Sequence, residues 1–212
     1  MTEMSNEQLM QLGHELIEAG VQVAKLGLVP LTHGNLSIRD PQSGHILMTP
    51  HDYAYEQITI EDLVTTDLGG NVVGGSRQSS YETQVHLAVY EKRPKVQAIV
   101  HVEPIYANVF GVLHMPIAPV LQNALHDVGG EVPVMPYLPS GSRDFGNEML
   151  RVMEGRNAVV WANHGLLAVG DSMAKAMHCT VMVEMAAQVY HLALQHGQPH
   201  PIPDEFHDMV VG

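Results

Sequence analysis

The chain has 212 residues, 45% hydrophobic and 16% charged, with 10 Lys+Arg against 23 Asp+Glu for a formal net charge of −13. That length and balance suit a single domain over 1–212 with a sizeable core, while the negative field repels phosphate-rich polymers and argues against nucleic acid as a partner. The N-terminus is polar and acidic, and no eighteen apolar residues run together, so a soluble, cytoplasmic protein without a membrane partner is expected.

Residues 5–26 place Leu9, Leu12, Leu16, Ile17, Val21, Val23 and Ala24 at mostly helical spacing, with Gly27 as the stop. LSIRD and HILMTP flank the turn residues PQSG, which predicts two antiparallel strands; LVTTDLGGNVVGG predicts a second hairpin turning at Gly69-Gly70-Asn71. A helix is expected from Ser79 to Arg93, ending before Pro94, and VQAIVHV reads as a buried strand.

Beyond it, IYANVFGVL reads as helix, EVPVMPYLP as extended chain and SRDFGNEMLRVMEG as helix. NAVVWANHGLLAVG reads as two strands turning at Asn163-His164-Gly165, and a helix from about Ser172 to His196 is broken by PHPIPDEF. Hairpins followed by mixed elements imply a mostly antiparallel sheet flanked by helices. The Pro-rich tail after residue 197 is the one segment expected to be loose. The single cysteine, Cys179, lies in an apolar run and reads as a buried structural thiol.

Polar chemistry interrupts this periodicity at strand ends. His101 ends the apolar strand AIVH, Glu103 falls on the same face two residues on, and His164 sits in the turn between VVWA and LLAV. A strand fixes a ligand's direction while the adjoining loop leaves a coordination position open, so these residues suit a metal site. Taken singly, each histidine reads better as a capping or core residue bonded to backbone.

The stretches GNLSIR at 34–39, TP at 49–50, the run from Glu56 to His101, and ANHGLLAVG at 162–170 resemble the class II aldolase/adducin family over about residues 8–195. The resemblance implies a three-layer α/β/α fold with a mostly antiparallel central sheet. It also implies a homotetramer with active sites near subunit interfaces, and one divalent metal ion per chain: zinc or manganese first, iron or cobalt as alternatives. Glu82, four residues before His86, matches the family's catalytic acid, while His101 and His164 match metal ligands and Tyr106 the tyrosine after the H-x-H pair. Bond cleavage next to a carbonyl suits such a site, because the metal takes up developing negative charge and Glu82 shuttles the proton.

Two departures from the family pattern bear on chemistry. Glu103 stands where the second histidine of H-x-H belongs; it either joins the metal, favouring manganese or iron over zinc, or marks a degraded site. Among the family's phosphate-binding positions, Asn35 and Ser80 match, but His51-Asp52 replaces a Ser/Thr-Gly pair and Tyr81 replaces the serine before Glu82. A carboxylate in that pocket opposes a phosphate dianion, whereas Arg39, Arg77 and Arg143 could grip a carboxylate substrate. Aldol cleavage of a small sugar-derived hydroxy-carbonyl is therefore expected, with decarboxylation of a non-phosphorylated carboxylate as its rival. A non-haem iron oxygenase and a non-catalytic adducin-like module are further readings.

Overall fold

The computed structural model describes residues 4–212. Helix α1 (Asn6–Lys25) begins at a capping box, in which Ser5 accepts from the Gln8 backbone and the Gln8 side chain reaches back. It is followed by β1 (Asn35–Arg39), β2 (Ile46–Met48), β3 (Val64–Thr66), β4 (Val72–Gly74), α2 (Thr83–Lys92) and β5 (Ala98–Val102). The second half contains α3 (Ile105–Leu113), α4 (Gln122–Val128), β6 (Val134–Met135), α5 (Arg143–Met153), β7 (Ala158–Trp161), β8 (Gly165–Gly170), α6 (Met173–His196) and α7 (His207–Val211).

The strands form one sheet in the order β4-β3-β2-β1-β5-β8-β7-β6, antiparallel throughout except for the parallel β6–β7 pair. Period-two alternation divides the buried residues between two cores. Ala98, Val100 and Val102 of β5, with Leu166 and Ala168 of β8, face α1, α3, α4 and α6. Ile99, Val159, Trp161, Leu167 and Val169 face the opposite way, onto α2 and α5. Each face is thus covered by helices, giving the three-layer arrangement expected.

Three expectations change. The helix expected from Ser79 starts only at Thr83, so Glu82 occupies its N-cap position and residues 79–81 form the approach to it. Helix α4 was not legible in a short stretch bounded by Leu121 and Gly129. The Pro-rich tail is not loose: the Ile202 amide donates to Pro119 O, and His126 Nδ1 meets Val210 O at 2.8 Å, which docks α7 against α4. Cys179 is buried as expected, 2% exposed.

Candidate metal centre

The second core contains a polar seam with matched periods. Residues 82, 86 and 90 recur every four positions along α2, a rise of about 6 Å; residues 35, 37 and 39 recur every two along β1, about 6.6 Å. The two rows therefore stay in register: Asn35 meets Glu82, Ser37 meets His86 at 2.7 Å and Tyr90 at 2.8 Å, and the Arg39 guanidinium lies 4.9 Å from the Tyr90 ring centre. GNLSIR and the Glu82–His86 spacing are thus two halves of one interface.

At the open end of this seam, Asn35 and His101 are Cα partners across β1 and β5 and present their side chains to the same face. His164 arrives from the β7–β8 turn, where Asn163 takes a left-handed φ of 58°. Two glycines permit the approach. A Cβ on Gly34 would stand 2.6 Å from His101 O, and one on Gly165 would stand 2.5 Å from Val102 O and 3.2 Å from Glu103 Cγ.

Glu82, His101 and His164 offer three ligand atoms within 4.8 Å of one another. Glu82 Oε2 lies 3.2 Å from His101 Nε2, and Glu82 Oε1 lies 3.3 Å from His164 Nε2. His101 Nδ1 donates to Leu166 O at 3.1 Å, which turns Nε2 toward the carboxylate, and the ring stacks on Trp161 with centroids 4.4 Å apart. An imidazole anchored to a backbone carbonyl through one nitrogen, with the other facing a carboxylate, is the usual arrangement of a metal-binding histidine. The two histidines and one carboxylate are thus consistent with a divalent metal site.

Glu82 is 8% exposed, a buried carboxylate at the head of its helix. Burial alone raises its carboxyl, but His101, the Asn35 amide and His164 outweigh that and hold it at about 2. His164 is pushed below the ordinary histidine value by burial and by His101, against the pull of Glu82 and Glu103. The anionic carboxylate and neutral imidazole are the protonation states a metal requires.

These groups open into a cavity of about 320 Å³. Asn35, His51, Asp52, Ser80, Tyr81, Glu82, His101, Glu103 and His164 all line it. Asp52 accepts from Thr32 Oγ1 at 2.6 Å, and Tyr81 packs its ring 4.3 Å from that of His51. Glu103, expected as a ligand, is not part of the three-residue group; its Oε2 lies 3.2 Å from His33 Nδ1. Tyr106 does not line the cavity: its ring lies 5.8 Å from His191, and its amide donates to Glu184 on α6.

The three arginines singled out as anion anchors are engaged elsewhere. Arg39 donates to the carbonyls of Tyr90, Arg93, Pro94 and Val96; Arg77 pairs with Asp62 at 2.7 Å; Arg143 pairs with Glu91 at 2.7 Å. None lines the cavity. Residues that did not stand out in the sequence are His33, Thr32 and Ser140, which line it too. His33 and Thr32 adjoin Gly34-Asn35, a signal that was available; Ser140 lies in the loop before α5 and carries none.

A family model described as Class II Aldolase and Adducin N-terminal domain matches residues 14–191. The L-fuculose phosphate aldolase of Escherichia coli K12 is 31% identical over 202 residues, 95% of this chain and 92% of that one. The 5-deoxy-D-ribulose 1-phosphate aldolase of Bacillus thuringiensis is 30% identical over 191 residues, covering 90% and 89%. The 3-oxo-tetronate 4-phosphate decarboxylase of Haemophilus influenzae is 31% identical over 197 residues, covering 90% and 89%. A solved L-fuculose 1-phosphate aldolase superposes with a TM-score of 0.91 at 32% identity, over 98% of this chain and 96% of that one.

Proposed function

The chain belongs to the class II aldolase and adducin N-terminal domain family, and from that premise we propose that it is a metal-dependent aldolase cleaving a small, sugar-derived hydroxy-carbonyl compound. The observation that carries this reading is the convergence of Glu82, His101 and His164 at one mouth of a cavity. A bound divalent ion, zinc or manganese by preference and iron or cobalt as alternatives, would supply Lewis-acid stabilisation of negative charge developing beside the substrate carbonyl, an effect of several kcal/mol.

The protein's own residues do the rest. His101 and His164 would hold the ion, since one ring is locked by Leu166 and Trp161 and the other by its turn. Glu82 holds or moves the proton at the carbon where the bond breaks, and Asn35 keeps that carboxylate aimed. Asn35, Ser80, His51, Asp52 and Tyr81 contact the substrate from the cavity wall.

Tyr106 does not line the cavity of its own chain, and α3 exposes Ile105, Val112 and Leu113 by 59–70%. A homotetramer that covers this apolar face would bury it and could bring Tyr106 to a neighbour's cavity; light scattering on the purified protein tests the assembly.

Decarboxylation is the second reading, favoured by the Haemophilus relative. Metal analysis of protein purified without chelators, followed by carbonyl-release and CO₂-release assays under nitrogen, decides between the two. A metal content well below one per chain, with no activity restored by zinc, manganese, cobalt or iron, overturns both. Turnover that requires oxygen would point to an oxygenase instead.

A further inference from the structure

One polar atom buried in the cavity wall is a hydrogen-bond acceptor with no partner among the described residues. Glu82 is an ionised carboxylate and can only accept, so the Asn35 amide must turn Nδ2 toward it, at 2.8 Å. That leaves Asn35 Oδ1 buried without a partner, in a residue only 6% exposed. A buried amide oxygen left unsatisfied costs about 1–3 kcal/mol, so this atom awaits a donor.

The outer rim has the same polarity. Glu103 Oε2 lies 3.2 Å from His33 Nδ1. The carboxylate there accepts from Nδ1, and in the neutral ring Nε2 is then an acceptor; no protein group among the described residues pairs with it. Across the cavity, Asp52 Oδ1 accepts from Thr32. Among the described residues, no lysine or arginine lines the cavity.

A phosphate dianion brings negative charge, and here it would meet three carboxylates, Asp52, Glu82 and Glu103. An alcohol brings a donor. We propose that this cavity takes an unphosphorylated polyhydroxy-carbonyl substrate, whose hydroxyls donate to Asn35 Oδ1 and to His33 Nε2, with Glu103 as the residue that orients His33. This rests on the metal-dependent aldolase reading above, and it departs from the phosphate esters named for the relatives.

Two chelators that differ only in the phosphate provide the test: glycolohydroxamate and its phosphate ester, titrated calorimetrically into metal-loaded protein. The unphosphorylated compound should bind at least as tightly as the ester, and 10 mM inorganic phosphate, on the order of the weak affinities of simple anions, should not compete. His33→Ala should weaken glycolohydroxamate by about tenfold, the worth of one hydrogen bond, and leave metal content unchanged. His33→Asn, which can still donate to Glu103, should not restore it. His33 is exposed at the rim, so the fold should survive both changes.

The ester binding more tightly than glycolohydroxamate, or glycolohydroxamate binding being indifferent to His33→Ala, overturns the proposal while the metal site and aldolase reading stand. Binding of neither chelator to metal-loaded protein overturns the aldolase reading and this inference with it.

Discussion

Asn35 donates to Glu82 across 2.8 Å, joining the first residue of β1 to the N-cap of α2 although 47 positions separate them in the chain. Both side chains are buried, so the bond is a structural commitment as well as an orienting one. Asn35→Ala leaves the carboxylate without its donor and should lower stability by about 1–3 kcal/mol and turnover along with it. Urea denaturation of the variant checks the first. Wild-type stability with lost turnover would confine Asn35 to substrate contact.

His101 and His164 should separate in their effects. His164 sits in a turn and is 27% exposed, whereas His101 is 1% exposed, stacked on Trp161 and bonded to Leu166. Either alanine variant should lose metal. In chelator-treated protein, His164→Ala should unfold close to wild type, but His101→Ala should cost about 2–4 kcal/mol from the cavity and the orphaned carbonyl. Equal melting temperatures for the two would contradict the packing assigned to His101.

Glu103 is paired with His33, apart from the three-ligand group. Glu103→Ala should therefore retain about one metal per chain and lose binding of hydroxyl-bearing ligands. Metal content falling with the wild-type carboxylate removed would return Glu103 to the ligand set.

Acid sensitivity should trace to the seam beneath the site. His86 is fully buried and its imidazole is pushed down to about 3 by burial and by His101, against Glu82. Unfolded, it titrates near 6.5, so from there down to about 3 the unfolded chain holds the extra proton and this group withdraws stability as pH falls. Glu82, held at about 2, adds a loss of the same sign below about 4.5. In chelator-treated protein, the stability of His86→Gln should fall less between pH 7 and pH 5, about the span in which an ordinary histidine gains its proton. Parallel pH profiles for the two proteins would exclude His86 as a source of the slope.

Asp52 takes a left-handed φ of 48°, a conformation glycine adopts without a Cβ penalty. Asp52→Gly should recover about 1 kcal/mol of backbone strain and lose the 2.6 Å bond from Thr32, leaving stability near wild type. Combined with Tyr81→Ser, it removes a carboxylate and an aromatic wall from the cavity. Phosphorylated ketoses should then gain in kcat/KM relative to unphosphorylated ones, with metal content unchanged; no shift in that ratio would place both residues outside the substrate's reach.

Much of this was legible in the sequence. Alternating apolar residues in VQAIVHV and the NAVVWANHGLLAVG turn located two neighbouring strands, and polar residues at their ends marked His101 and His164, because a charged or polar group at a buried strand end needs a partner. The resemblance to the class II aldolase/adducin family supplied Glu82 and the fold. Contacts between distant segments were not legible. That α2 starts at Thr83, leaving Glu82 as its buried cap, depends on Asn35 and both histidines arriving at the same point. Docking of the tail depends on α4, a helix too short to stand out by periodicity. Whether Glu103 turns toward the metal or toward His33, and whether Arg39, Arg77 and Arg143 are free to bind an anion, was decided by tertiary neighbours. Charge and residue type state what a side chain can bind, but only the surrounding chain determines which partner lies within 3 Å.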